Sequence, residues 1–133
     1  MNLKVSTPER VVLELSGITM LSADGVEGQF AILNNHIPFT TKLNDGIIKI
    51  KTAEGTQLLA TGPAFFEVNK NNIIILTDSA ILPSEADKLR AEEVRKKAEE
   101  QLEKKLEGTD FQKVEAELRK ALLELKLVNS TQG

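Results

Sequence analysis

Residues Ser84–Val128 read SEADKLRAEEVRKKAEEQLEKKLEGTDFQKVEAELRKALLELKLV. Apolar residues return here every three or four positions, the period of an amphipathic helix. Ala91, Val94, Ala98, Leu102 and Leu106 share one face of a first helix. Glu92/Lys96, Glu93/Lys97 and Glu100/Lys104 stand at i,i+4 in the supporting order. Ser84 is placed as the N-cap, with Asp87 completing a capping box. Gly108 stops the helix where a left-handed residue is commonly needed. Thr109 or Asp110 restarts a second, whose stripe is Phe111, Val114, Leu118, Ala121, Leu122 and Leu125. The two stripes can face each other in an antiparallel hairpin. Because the first is alanine-rich, its burial returns little at about 25 cal/mol per Å2, and the packing is marginal enough to be reversible. The second stripe is richer in leucine, which suggests docking on something beyond its hairpin mate.

Everything before this stretch follows other rules. All four prolines and six of the eight glycines lie at or before Pro83. Val11, Leu13 and Leu15 alternate with Val12 and Glu14 up to Gly17, the period of a strand with one buried face. Residues 18–22 and 28–33 read as two further strands, separated by the turn signal Asp24-Gly25. Asn34 to Pro38 is too rich in turn formers to continue a strand. Beyond it, residues 46–51, 57–61, 65–68 and 73–77 complete a series with turn signals at Asn44-Asp45-Gly46, Gly55 and Asn69–Asn72. The fold expected is an antiparallel β-sandwich of about eight to ten short strands over residues 1–83, followed by a C-terminal antiparallel α-helical hairpin over residues 84–133.

At 133 residues the chain is near the size of one domain, so one compact core plus a small appendage is expected. Seventeen basic against twenty acidic residues leave a formal charge of −3, which offers no field for nucleic acid. With no cysteine there is no disulfide framework, thiolate nucleophile or cysteine metal site. Its opening, MNLKVSTPERV, has no continuous apolar run, so neither a signal peptide nor a spanning helix is expected there. One histidine and no tyrosine or tryptophan make a catalytic triad or a histidine metal cluster unavailable, so no catalytic and no metal residue is assigned.

Three groups of residues stand out. His36, the single histidine, sits in a turn, where a satisfied loop residue is the plain reading. Asp87 and Arg90 lie i,i+3 on the first helix. They read as a capping carboxylate beside a solvated arginine, or as an anionic-ligand site in which Arg90 donates to phosphate. Gly25 and Gly28 do not form a phosphate loop, because no helix follows them.

With these motifs in view, the chain resembles the epsilon subunits of bacterial F-type ATP synthases along nearly its whole length. The most specific match is Gly28–Pro38, which ends on His36-Ile37-Pro38. The opening Thr7-Pro8-Glu9-Arg10-Val11-Val12, the segment Phe65-Phe66-Glu67-Val68 and the restart Asp110-Phe111 also fit. Asn34-Asn35 stands where the family has Pro-Gly, and Pro63-Ala64 where it usually has Gly-Gly. The resemblance implies a non-catalytic rotor subunit whose sandwich grips the gamma subunit and sits on the c-ring. It implies contact through Glu27, Gly28, Gln29 and Phe30 with the ring and through His36 with gamma. It also implies that the helical arm, when extended, meets the alpha and beta subunits of the catalytic head and blocks ATP hydrolysis. Association with the cytoplasmic face of the cell membrane would then be peripheral, through the complex. No cofactor is required. Some relatives bind regulatory ATP on the arm, which would make this chain a nucleotide sensor in the alternative reading. Of that motif Asp87, Arg90 and Ala91 are present and Arg119 and Lys120 could serve as basic partners, while Ala86 replaces a larger aliphatic and Glu124 replaces a cation. A carboxylate at that position repels phosphate. An enzyme built on the β-domain is the remaining rival, weakened by the shortage of acids, bases and nucleophiles that could converge.

Overall fold

The computed structural model describes residues 1–34, 38–104 and 108–132. Ten strands come first: β1 Asn2–Ser6, β2 Val11–Leu15, β3 Ile18–Gly25, β4 Gly28–Leu33, β5 Phe39–Leu43, β6 Gly46–Thr52, β7 Gly55–Thr61, β8 Ala64–Asn69, β9 Asn72–Thr77 and β10 Ala80–Ile81. A single 3-10 turn, Pro83–Glu85, then leads to α1, Lys88–Lys104, and α2, Phe111–Gln132. The chain divides into two compact units, Met1–Leu82 and Pro83–Gly133.

The strands of the first unit form two leaves, β10-β7-β6-β3-β4 and β5-β8-β9-β1-β2. They join at one corner, where Gly25 at the end of β3 pairs with Leu43 of β5. This is a β-sandwich, as the alternating patterns predict, with one departure from antiparallel pairing: β1 runs parallel to β9, Leu3 opposite Ile73 and Val5 opposite Ile75. Tight turns impose antiparallel pairing only on strands adjacent in sequence, and β1 reaches β9 across most of the unit. A second departure concerns the turn after β3. Asp24 and Gly25 belong to the strand, and Val26-Glu27 forms the connection between the paired Gly25 and Gly28.

Period-2 alternation sends Leu3 and Val5, Ile48 and Ile50, Phe66 and Val68, and Ile73 and Ile75 inward. Together with Leu21, Ile32 and Leu59 they form one core between the leaves. Three phenylalanines knit the leaves: Phe30 of β4 meets Phe39 of β5 at 5.3 Å and Phe66 of β8 at 5.1 Å, both edge to face.

In the second unit α1 and α2 pack together. Ala91 and Ala98 of α1 and Val114 and Ala121 of α2 are buried, and small side chains let the two helices approach closely. The α2 face differs from the expected stripe: Phe111 and Leu122 are 38% and 46% exposed, whereas Glu124 and Leu127 are buried. Leu106, expected on the α1 stripe, lies outside the described residues.

Candidate functional sites

The start of α1 is built differently from the expected capping box. Ser84 lies in the 3-10 turn, where the Ala86 N–H donates to the Pro83 carbonyl. Asp87 is itself the N-cap: its Oδ1 accepts the Arg90 N–H at 3.1 Å, and its carbonyl accepts the Ala91 N–H. A carboxylate at this position meets the positive end of the helix dipole, which a serine three residues earlier cannot do. Asp110 performs the same task for α2, its Oδ1 accepting the Lys113 N–H at 3.2 Å. Gly108 has φ 80°, the left-handed conformation expected of it.

A capping box would return a carboxylate from the third helical position to the N-cap amide. That position is Arg90, which has none. The carboxylate comes instead from the other helix: Glu124 Oε1 accepts the Asp87 N–H at 2.8 Å and the Arg90 Nη2 donor at 3.4 Å. The Glu124 side chain is 6% exposed and that of Arg90 65% exposed. The backbone bond is therefore the stronger tie, because water screens the ion pair on the arginine side. Its signal in the sequence is the lone acid inside Leu122-Leu123-Glu124-Leu125.

Alongside the helices runs an open groove of about 760 Å³. Arg90 and Ala91 line it, as do Lys97, Lys113 and Lys120, with Glu124 among them. Arg119 is exposed and is not part of this lining. Of the residues proposed for a nucleotide, Asp87, Arg90 and Ala91 thus gather at the start of α1, where Ala91 is buried against the hairpin.

On the sandwich, Glu27, Gly28 and Gln29 are exposed around the β3–β4 turn, with Gly28 at φ 126°. Phe30 is half-buried and directs its ring into the phenylalanine cluster. Gly25 packs beneath it, since a Cβ there would come within 3.0 Å of the Phe30 ring. His36 lies outside the described residues. The outward face of β8 and β9 leaves Phe65, Ile74 and Leu76 exposed, with Phe65 opposite Leu76. Among the described residues no group of three or more histidine, cysteine, aspartate or glutamate side chains could hold a metal ion. No helix among them is long and apolar enough to cross a membrane.

A family model for the β-sandwich domain of the ATP synthase delta/epsilon chain matches residues 1–83. The ATP synthase epsilon chain of Moorella thermoacetica is 34% identical over 127 residues, covering 95% of this chain and 94% of that one. The epsilon chain of Clostridium novyi is 36% identical over 129 residues, covering 95% of each. A chain in the solved Euglena gracilis mitochondrial ATP synthase, a structure that includes the c-ring, shares the fold with a TM-score of 0.64 at 16% identity, covering 98% of this chain and 78% of that one. With the sandwich matched by its family and the relatives aligned from the first strands into the second helix, the chain belongs to the ATP synthase delta/epsilon chain family.

Proposed function

We propose that this chain is the epsilon-type subunit of the central stalk of a bacterial F-type ATP synthase, an accessory rotor subunit without catalytic chemistry of its own. The observation that carries the reading is the match to epsilon chains through both units rather than the sandwich alone. In this role the sandwich couples gamma to the c-ring. The exposed turn Glu27-Gly28-Gln29 is suited to the ring. The apolar patch of Phe65, Ile74 and Leu76 has the character of a protein-binding surface and fits a grip on the stalk. The complex then holds the chain at the cytoplasmic face of the cell membrane.

The arm is the regulator in this reading: extended towards the alpha and beta subunits of the head, it restrains ATP hydrolysis. Support comes from its separate compact unit and from the alanines, Ala91, Ala98 and Ala121, among its buried apolar side chains, each of which returns little on burial. In a reconstituted synthase, deleting Ser84–Gly133 should raise ATP hydrolysis and weaken its activation by detergent while ion-coupled synthesis persists. Unchanged hydrolysis and activation would refute the inhibitory role, and intact coupling in the absence of the whole chain would refute the stalk role.

A nucleotide-responsive arm is the second reading, favoured by the cations Arg90, Lys97, Lys113 and Lys120 along one groove. Titration calorimetry of the full chain with millimolar ATP decides it: saturable heat that is lost in Arg90→Ala supports binding, and no heat excludes it.

A further inference from the structure

Glu124 is a buried carboxylate on a helix whose other buried side chains, Val114, Ala121 and Leu127, are apolar, and its two donors both belong to the start of α1. We infer that Glu124 is an internal anion that latches the hairpin, filling the place at the α1 N-terminus that an external phosphate or carboxylate would take, so that the arm closes without a ligand. The inference concerns the second unit alone and does not rest on the stalk assignment.

Three features carry it. The first turn of α1 contains no acidic residue, so the helix itself cannot supply the reciprocal half of a capping box. The Asp87 N–H is the donor such a box would satisfy, and Glu124 reaches it at 2.8 Å from thirty-seven residues away. The acceptor is anionic and only 6% exposed, where a charge needs its partners and where a hydrogen bond to the backbone is strong. A local cap would stabilise α1 alone. This one holds α1 only while α2 lies beside it, which makes the cap a sensor of hairpin closure. Opening the arm leaves the Asp87 amide and the Glu124 carboxylate to be solvated separately. The same carboxylate disfavours a phosphate at this end of the groove by charge repulsion.

Amide hydrogen exchange of the full chain, followed by NMR at Asp87, tests the latch. Residue 124 is remote in sequence, so a substitution there does not alter the intrinsic exchange rate at Asp87. Glu124→Ala should speed exchange of this amide by roughly ten- to a hundredfold, the factor for losing a hydrogen bond to a charged group. Glu124→Gln, which keeps one acceptor oxygen and the side-chain volume, should give a smaller rise. Sodium acetate should restore protection in Glu124→Ala more than sodium chloride of equal ionic strength, while the β8–β9 amides stay unchanged in all samples. Added ATP should leave the wild-type Asp87 amide unaltered. Wild-type exchange at Asp87 in both variants would overturn the latch. So would acetate having no more effect than chloride, or ATP adding protection to the wild-type amide.

Discussion

Replacing Phe30 by alanine separates a fold effect from a partner effect at the β3–β4 turn. Its ring makes two edge-to-face contacts, at 5.3 Å with Phe39 and 5.1 Å with Phe66. Each such pair is worth about 0.5–1.5 kcal/mol beyond area burial, and half-burying a phenylalanine contributes on the order of 1 kcal/mol more. Phe30→Ala should therefore destabilise the sandwich by about 2–4 kcal/mol, a fall of roughly 10–30 °C in melting temperature for a unit the size of Met1–Leu82. Urea denaturation of the full chain, monitored by β-sheet circular dichroism, measures the loss directly. Gln29→Ala, at the exposed neighbour, should stay within about 0.5 kcal/mol of wild type. A Phe30→Ala protein as stable as Gln29→Ala would refute the wedge role and return Phe30 to the surface as a contact residue. If the wedge role holds, only Phe30 variants that keep the ring packing report on partner binding.

Gly25→Ala should cost about 1–3 kcal/mol, because the new methyl lands 3.0 Å from the Phe30 ring and 3.1 Å from the Gly28 carbonyl. In the Phe30→Ala background the penalty should shrink, and a double-mutant cycle of denaturation midpoints reads that coupling. Asp110→Ala removes the cap on the Lys113 amide and should lower arm stability by about 0.5–2 kcal/mol, seen as earlier melting of the helical dichroism with the sheet signal unchanged. Ala98→Leu forces a large side chain into the contact between the helices, where Ala98 is 1% exposed, and should loosen the hairpin by about 1–3 kcal/mol in the same assay.

Much of this architecture was legible in the sequence because its cues are local. The period changes from two to three and a half near Pro83, and Gly108 interrupts the helical pattern. Strands β2, β6, β7 and β9 were readable from alternation or an apolar run between turn formers. β5 was not, since Phe39-Thr-Thr-Lys-Leu buries only Leu43 fully and follows a proline. β1 carries a short alternation, Asn2-Leu3-Lys4-Val5-Ser6, but its parallel partner lies at the far end of the unit and leaves no local trace. The run Ile73-Ile74-Ile75-Leu76 shows the same limit: composition does not say that Ile73 and Ile75 face the core while Ile74 and Leu76 face outward.

At the candidate sites the division is sharper. Sequence alone determined that a helix carrying Asp87, Arg90 and Ala91 opens just after Pro83, with Ser84 as its expected cap, and that Glu124 stands as an acid within an apolar run. Tertiary structure decided what the acid does. A helix start leaves amides unsatisfied whatever follows, but which distant acceptor reaches them depends on how two helices pack, and that depends on the small side chains between them. In the same way Phe30 sits at an exposed turn by sequence yet acts as a wedge between two leaves, because the Gly25–Leu43 corner brings β4 and β5 within reach of one ring. Local periodicity writes the elements; the long-range contacts that assign each side chain a partner arise only when the elements meet.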